Sequence, residues 1–378
     1  MTVSLTSIIA DLESKIANAD SNSSLSDLLS LLNSAERLTG TKSIYDSSDL
    51  LTLTDSASIG SVKYKSDGSL RFYNGNIWDL LTGPAPSGPS FTFQGSTSGY
   101  KSGGTGPSTV NTIDKWSFSS DGNASDVGDL SVTRYATGGH SSSSDGYTSG
   151  GYYGYNTIDK FPFSSDTNAS DAGDLSQGRT TVGHSSSESG YSSGGTFGNT
   201  DIIDKFPFAA DGNATDVGDL LAVTWYNAGI SSGLDGYNAG GALPSVSNVI
   251  QKFSFSADGN ASDVGDLTVA REYPTGTNSD THGYAAGGNP YLTPGATTID
   301  KFSFTSGGNA TDVGDVTNRG SGSTGQSSTA SGYLAGGFGS GSPNYKNIIE
   351  KYSFSSDGNA TDVGDLTVAR YAGAGQQV

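Results

Sequence analysis

One phrase recurs six times in about the last three quarters of the chain, and this repeat limits the folds open to it. Each copy has the pattern Gly-Tyr-x-x-Gly-Gly, then a Lys among apolar residues, then Asn-Ala-Ser/Thr-Asp-x-Gly-Asp. The lysines lie 45, 45, 47, 49 and 50 residues apart. They are Lys115, Lys160, Lys205, Lys252, Lys301 and Lys351. A period of about 40–50 residues with several short strand signals per unit predicts a β-propeller rather than a helical solenoid.

The copy that ends at Leu220 indicates how one unit divides into four strands. The predicted strands are "TTVGHSSS", "SGYSSGG", "IIDKFPF" and "ATDVGDLLAV", with a hairpin turn at Asp211-Gly212. Small residues dominate the first strand because blades converge at the axis of a propeller. The third strand carries the aromatic rings on which adjacent blades are expected to stack. These rings are Trp116, Phe118, Phe161, Phe163, Phe206, Phe208, Phe253, Phe255, Phe302, Phe304, Tyr352 and Phe354.

The repeats resemble kelch repeats over about three quarters of the chain. The shared elements are the double glycine after the second strand, the aromatic third strand and an Arg just after the fourth strand. Thr224-Trp225 breaks the arginine pattern in the third copy, and "DVGD" or a variant stands where the family has a fourth-strand Trp. The arginines are Arg134, Arg179, Arg271, Arg319 and Arg370. The resemblance implies a six-bladed kelch-like β-propeller of four-stranded blades, so the predicted fold class is all-β.

Three smaller segments precede the propeller predicted for 91–378. Residues 1–40 contain two apolar stripes at helical spacing and are expected to form a short α-helical segment for attachment or oligomerisation, with a helical hairpin within one chain as the alternative. Residues 41–82 are expected to hold a small three-stranded β module, because "GSVKYKSDGSLRFYNGNIWDLL" alternates apolar and polar residues around two turn signals. Residues 83–90 form a Pro/Gly linker.

Two segments compete for the innermost strand of the first blade. Phe91–Thr97 precedes the second strand of that blade, and "RYAGAGQQV" at the end of the sequence also has the pattern of a first strand. We expect Phe91–Thr97 to occupy the position and the C-terminal segment to pack outside or lead onward.

Comparison of the copies separates two faces of the propeller. The loop between the third and fourth strands hardly changes, whereas the loop between the second and third strands differs in every copy. Binding residues usually lie on loops that a rigid scaffold positions, and aromatic rings there suit stacking on sugar rings or docking on a protein. The candidate ligand-binding residues are Tyr135, Tyr152, Tyr153, Tyr155, Phe197, Trp225, Tyr226, Tyr273, Tyr291, Phe338 and Tyr345.

Charge and composition exclude several kinds of partner. The 19 Lys and Arg against 38 Asp and Glu give a net charge of −19, which disfavours nucleic acid and anionic membrane surfaces. The chain has no Cys and no apolar run long enough to span a membrane, and its first residues lack the features of a secretory signal.

Known chemical motifs fit the sequence poorly. "DGNASDVGD" spaces oxygens as a calcium loop does, but Asp126 stands at the sixth position where such loops need Gly, so no metal or other cofactor is expected. The Asn-Ala-Ser/Thr sequons are better explained by turn chemistry than by glycans. The repeated Lys is expected to be buried between blades and paired with an Asp of a neighbouring "DVGD".

An enzyme is not expected. His140 and His184 repeat at one first-strand position, which favours a structural role, and His282 stands before a Gly-Tyr phrase. Glycosidases need a carboxylate pair, and few acids break the repeat symmetry. Those acids are Glu188, Asp201, Asp235, Glu272 and Asp280.

The repeat sequence resembles structural proteins of marine tailed phages, as in "EKYSFSSDGNATDVGDLTVAR" at 350–370. The stretch "GSVKYKSDGSLRFYNGNIWDLL" resembles small β modules that precede the tips of phage fibres. The resemblance implies a virion fibre or adhesin whose propeller binds a host-surface glycan or protein. The 1–40 segment would join other virion proteins or further copies of the chain, as a homo-oligomer such as a trimer. The alternatives are a passive structural or decoration subunit and a carbohydrate-active enzyme.

Overall fold

The computed structural model describes residues 62–64, 70–73, 78–80, 94–242, 245–289, 297–317, 320–339 and 343–378. The chain divides into two units, Met1–Pro89 and Ser90–Val378, and each is described by itself. The predicted helical segment and the 83–90 linker lie outside the described residues, as do Tyr291 and Arg319.

In the first unit, three short strands form the predicted meander. They pair antiparallel in the order β1-β2-β3, with Val62 opposite Phe72 and Tyr73 opposite Trp78. Their bounds are β1 Val62–Tyr64, β2 Leu70–Tyr73 and β3 Trp78–Leu80.

The second unit is a six-bladed β-propeller, as the repeat predicts, and each blade is an antiparallel sheet of four principal strands, a to d from the axis outward. The a strands are β7 Gly138–Ser141, β11 Val182–Ser185, β15 Ala228–Ser231, β19 Thr275–Asn278, β24 Thr324–Ser327 and β28 Ala374–Gln377. The b strands are β4 Ser98–Ser102, β8 Asp145–Ser149, β12 Ser189–Ser193, β16 Asp235–Ala239, β20 His282–Ala286 and β25 Ser331–Gly339. The c strands are β5 Thr112–Ser117, β9 Thr157–Pro162, β13 Ile202–Pro207, β17 Val249–Ser254, β21 Thr298–Ser303 and β26 Tyr345–Ser353. The d strands are β6 Ser125–Asp129, β10 Ser170–Asp174, β14 Thr215–Asp219, β18 Ser262–Asp266, β22 Thr311–Asp315 and β27 Thr361–Asp365. A two-residue strand, β23 Gly320–Ser321, also pairs with β25.

The last strand of the chain closes the ring. β28 is the a strand of the first blade and pairs with β4, with Gly375 opposite Lys101. The expectation that Phe91–Thr97 fills this position is therefore wrong. Described residues of that segment lie beside the end of the closing strand instead, and the Ser96 and Thr97 amides donate to the carbonyl of Val378. The closing strand joins the two ends of the propeller through backbone pairing rather than a covalent link.

The axis explains the small residues of the a strands. A glycine of each a strand faces the matching glycine of the preceding blade, and a Cβ at Gly183 would collide with the carbonyl oxygen of Gly139. The same collision recurs around the ring. The six glycines are Gly139, Gly183, Gly229, Gly276, Gly325 and Gly375. The expectation that steric crowding at the axis selects small residues is confirmed.

Adjacent blades pack through aromatic pairs, as predicted. The Tyr of each b strand stacks on the second ring of the next c strand, so Tyr147 and Phe208 have ring centroids 4.9 Å apart. Tyr147 is buried and Phe208 is partly buried, and burial of apolar area of this kind stabilises the blade interface. The equivalent pairs are Tyr100–Phe163, Tyr191–Phe255, Tyr237–Phe304, Tyr284–Phe354 and Tyr333–Phe118.

The repeated lysines bridge neighbouring blades, but to an Asp other than the one expected. Each partner lies in the c–d turn of the next blade and not in its "DVGD" strand, and the lysines are half-buried rather than enclosed. Lys252 is the exception, because Gly307 replaces the turn Asp, and Lys252 lies 3.7 Å from Asp235 of its own blade. The bridges are Lys115–Asp166 (3.0 Å), Lys160–Asp211 (3.1 Å), Lys205–Asp258 (3.0 Å), Lys301–Asp357 (2.9 Å) and Lys351–Asp121 (3.0 Å).

The Asn of each sequon is a second bridge between blades. Its Oδ1 accepts a hydrogen bond from the backbone amide of the last Asp of the preceding d strand, at 3.1 Å for Asn168 and Asp129. The invariance of this Asn therefore has a structural cause that reaches beyond its own turn. The same contact is made by Asn213, Asn260, Asn309, Asn359 and Asn123.

Candidate functional site

Loops on one side of the propeller carry nearly all the sequence variation, and we call this side the variable face. It holds the b–c and d–a loops, whereas the uniform face holds the a–b and c–d loops. The double glycine joins the two loop types of the variable face. Gly150 and Gly151 have φ values of 63° and 146°, which favour glycine. The Gly151 amide donates to the carbonyl of Arg179 in the adjoining d–a loop at 2.8 Å.

Buried ion pairs anchor the variable face. At four blade junctions, the Arg that follows the d strand reaches the Asp of the next blade's c strand, and both side chains of each pair have no exposed area. The Asp also accepts from the preceding d–a loop, as Asp159 does from the Ser131 amide at 2.9 Å. This network fixes where each d–a loop begins. The pairs are Arg134–Asp159 (2.9 Å), Arg179–Asp204 (2.7 Å), Arg271–Asp300 (3.0 Å) and Arg370–Asp114 (2.8 Å).

The junction of the third and fourth blades lacks this ion pair. Thr224 stands where the Arg is expected, and Gln251 stands where the Asp is expected. Gln251 Oε1 still accepts from the Leu221 amide at 2.7 Å, so the amide keeps the loop contact of the carboxylate. Both partners of the pair are therefore replaced by neutral groups, and neither charge is left buried alone.

A first aromatic cluster spans the second and third blades. Tyr135 stacks on Tyr152 with centroids 4.9 Å apart, and Tyr152 meets Phe197 edge-on at 4.9 Å. Tyr153 packs on Tyr152 at 4.9 Å and is 73% exposed. Burial raises the pKa of Tyr135 above its ordinary value, and the neighbouring Tyr152 adds to the rise. The structure thus brings together four predicted residues from one d–a and two b–c loops.

A second cluster lies at the axis. Tyr226 and Tyr273 stack with centroids 3.9 Å apart, and Trp225 stacks on Tyr226 at 5.6 Å. Burial raises the pKa of Tyr273, with a contribution from its hydrogen bond to Tyr226. Tyr226 and Tyr273 both have φ of 56°, a left-handed conformation that is uncommon for residues other than glycine.

A third cluster includes a residue that the sequence reasoning missed. Tyr371 lies 5.6 Å from Phe338 and 6.1 Å from Tyr345, centroid to centroid. It directly follows Arg370, as Tyr135 follows Arg134, so the residue after the repeated Arg is the sequence feature that identifies Tyr371 as a candidate. Tyr155 is half-buried, and its backbone carbonyl accepts from the Arg179 amide at 3.1 Å.

The second and third clusters meet at the rim of a central opening. A Cβ at Gly322 would lie 3.1 Å from a Tyr371 ring carbon and 3.6 Å from one of Tyr273. Backbone hydrogen bonds link successive d–a loops there, from Tyr273 to Tyr226 (2.6 Å) and from Gly322 to Tyr273 (3.2 Å). The opening leads into a cavity of about 90 Å³ lined by residues that include Trp225, Tyr226 and Tyr273.

The polar side chains of the uniform face make contacts to other residues of the propeller. In the phrase that resembles a calcium loop, Asp121 pairs with Lys351 and Asn123 accepts from the Asp365 amide. Asp126 accepts from the Gly128 amide at 3.2 Å. Within the described ranges, no group of three or more His, Asp and Glu side chains is placed to hold a metal ion.

The repeated histidines are packing residues. His140 Nδ1 lies 3.0 Å from the carbonyl of His184, and its Nε2 lies 2.8 Å from Ser149 Oγ. Burial lowers the pKa of His140 to about 3 and that of His184 to about 4. A neutral ring whose Nδ1 donates to the next blade explains both contacts.

The acids that break the repeat symmetry are dispersed. Glu188, Asp235 and Asp280 lie in or beside a–b turns of the uniform face, and Asp235 contacts Lys252. On the variable face, Asp201 raises the pKa of Asp219, although burial contributes more. Glu272 accepts from Asn289 Nδ2 at 3.4 Å, and burial raises the pKa of its carboxyl. In the described part of the chain, no helix has the length and apolar character needed to cross a membrane.

Comparison with known proteins identifies the fold class. No protein-family model matches the chain, and no curated protein sequence matches it. Among 346 similar solved chains, the one titled "Structure of YjhT" has a TM-score of 0.54 and 14% sequence identity, covering 65% of this chain and 88% of that chain. At this identity the likeness shows the propeller fold alone.

Proposed function

We propose that this protein is a non-enzymatic binding protein whose variable face recognises a glycan on a host surface. The observation that carries the proposal is the meeting of aromatic rings from several blades around the central opening of the variable face. The repeat keeps the uniform face nearly constant, and its groups bridge blades. The variable face differs in every blade and presents partly exposed aromatic rings in addition to the Tyr–Phe pairs that pack the b and c strands of adjacent blades.

Tyr and Trp rings suit this role because they offer rigid, amphipathic area at low entropic cost. Tyr153, Phe197 and Phe338 are exposed by 73%, 41% and 40%, respectively. Sugar rings present C–H faces that pack on such rings while their hydroxyls remain in water. The net charge of −19 favours a neutral target over a strongly anionic one.

The absence of catalysis is part of the proposal. Glycoside hydrolysis uses two carboxylates that flank the scissile bond. The described residues that line the central opening include no Asp or Glu. The aromatic rim with an uncharged floor therefore favours binding over hydrolysis.

The proposed location on a virion rests on the amino-acid sequences of the repeats and of the 60–81 module, which resemble structural proteins of tailed phages. On this proposal the 1–40 segment attaches the protein to other virion proteins or joins copies of the chain, and the propeller is presented to the host.

A glycan array probed with the full chain and with Tyr152→Ala/Tyr153→Ala tests the proposal. We expect the wild-type chain to bind a restricted set of glycans and the double variant to bind them at least about tenfold more weakly. Leu234→Ala is the matched control, because Leu234 is 72% exposed in an a–b turn of the uniform face. Equal binding by all three proteins contradicts the assignment of the face. Release of shortened sugars from a bound polysaccharide contradicts the non-enzymatic role.

A further inference from the structure

We propose that the central opening is the specificity subsite, and that it takes a neutral substituent of one sugar ring, such as a hydroxymethyl or acetamido group. This inference rests on the proposed glycan-binding function and adds where and how selectivity arises. The rim would hold the sugar ring, and the cavity beneath would receive the substituent.

The cavity has a suitable size and chemistry. Its volume of about 90 Å³ is several times the ~10–15 Å³ that a single water requires. A second cavity of about 110 Å³ continues along the axis and shares Thr137, Asn227 and Ser323 with the first. The described residues that line the first cavity are uncharged. An entering charged group would therefore lose its hydration without meeting an opposite charge.

Two polar groups of the cavity wall have no partner within the described part of the chain. They are Asn227 Nδ2, on a residue 5% exposed, and Thr137 Oγ1, on a residue 7% exposed. Buried polar groups normally form hydrogen bonds, and leaving them unpaired costs about 1–3 kcal/mol. Asn227 offers an N–H donor and Thr137 offers a hydroxyl, which together match the oxygen atoms of a hydroxyl or acetamido group.

The break in the repeat borders the cavity at the junction of the third and fourth blades. At the preceding junction, Arg179 stands at the position of Thr224 and donates to the carbonyls of Gly194 (2.9 Å) and Ser192 (3.0 Å). The shorter Thr224 lines the cavity instead, and Trp225 follows it at the rim. The only junction among the described residues with neutral groups at both positions of the ion pair thus borders the unpaired Asn227 and the stacked aromatic rings.

Titration by saturation-transfer NMR of the full chain tests the inference. The neutral probes are the methyl glycosides of glucose, galactose, mannose and N-acetylglucosamine, and the anionic probes are N-acetylneuraminic acid and glucuronic acid. We expect binding of at least one neutral probe and about three- to tenfold weaker binding by Asn227→Ser and Thr137→Val, the effect of losing one hydrogen bond. Ser is compatible with the fold there, because Ser323 occupies the same place in the sixth blade. Asn156→Ser, an exposed change on the same face, is the control.

The outcomes separate this inference from the proposed function. If glycans bind and Tyr152→Ala/Tyr153→Ala weakens binding while Asn227→Ser and Thr137→Val do not, the subsite is wrong and the glycan-binding face stands. A preference for the anionic probes likewise overturns the subsite alone. If neither the array nor the probes bind the wild-type chain, both proposals fail.

Discussion

Arg370 Nη1 lies 2.8 Å from Asp114 Oδ2, although 256 residues separate them in the sequence. Arg370 precedes the closing strand β28, and Asp114 lies in β5 of the first blade. Neither side chain has exposed area. This ion pair therefore lies where the ring closes, beside the backbone pairing of β28 with β4.

Removal of one partner of this pair is expected to destabilise the propeller strongly. Asp114→Gln or Arg370→Thr leaves one buried charge without its partner, which costs about 3–5 kcal/mol. Urea unfolding followed by circular dichroism measures the change in the free energy of unfolding.

The double variant Arg370→Thr/Asp114→Gln is the informative control. It copies the pair Thr224 and Gln251 of the third junction, so it removes both charges together. We expect it to be more stable than either single variant. If the double variant loses more free energy of unfolding than the two single variants together, the neutral pair of Thr224 and Gln251 depends on the surroundings of its own junction.

The axial glycines are expected to tolerate no larger residue. Gly183→Ala places a Cβ against the carbonyl oxygen of Gly139, and relief of this contact requires the blades to move apart. Overpacking of this kind costs about 1–3 kcal/mol or more. Gly212→Ala is the control, because a Cβ at Gly212 would have nothing within 4 Å. That change is expected to be neutral or slightly stabilising. Thermal unfolding of both variants distinguishes them, and equal melting temperatures would contradict the crowding at the axis.

Local pattern is sufficient for the blades but not for contacts between distant segments. The turn at Asp211-Gly212 and the strands around it follow from residue type and period, so the sequence predicts them within a few residues. The choice between Phe91–Thr97 and Ala374–Gln377 does not, because both have the pattern of an a strand. The pairing of β28 with β4 and the Arg370–Asp114 ion pair beside it join residues more than 250 positions apart, so local pattern does not reveal them.

The candidate site shows the same limit. The variable loops identify Tyr135 and Tyr152 without the structure, and the two rings do stack. Sequence reasoning misses Tyr371 because it places the C-terminal segment outside the ring. It also assigns the wrong Lys partners, because the turn Asp and the strand Asp lie only a few residues apart and side-chain reach decides between them.

Stability is expected to fall in acid because of His140 and His184. Burial depresses their pKa values to about 3 and about 4, so the unfolded chain binds more protons below about pH 6.5. The loss therefore begins near pH 6.5, continues down to the folded pKa values and reaches about 3 kcal/mol for each ring at pH 4.

The double variant His140→Gln/His184→Gln is expected to flatten the curve of unfolding free energy against pH, because Gln does not titrate. Gln is compatible with the fold at this position, because Gln326 and Gln376 occupy it in other blades. His282→Gln is the comparison variant: burial also lowers the pKa of His282, but the site is only half-buried, so a smaller change in the acid slope is expected. An unchanged acid slope in the double variant would assign the pH dependence to other groups.

Replacement of Lys101 by Leu is expected to stabilise the propeller. Lys101 has no exposed area, and its Nζ donates to the carbonyl of Ala335 at 2.9 Å. Burial lowers its pKa well below the ordinary 10.5, and Arg370 lowers it further against the opposing effect of Asp114. The unfolded chain therefore binds more protons than the folded chain below about pH 10.5, and the cost of this residue grows as the pH falls toward its folded pKa.

Leu334 occupies the equivalent b-strand position of the sixth blade, and Ala335 O keeps a hydrogen bond from Thr324 Oγ1 at 3.3 Å. Lys101→Leu should therefore raise the free energy of unfolding near neutral pH, with a smaller gain at pH 10 than at pH 7. Chemical unfolding at both pH values measures this difference, and a variant less stable than the wild-type chain at pH 7 would show that the buried amine is needed to close the ring.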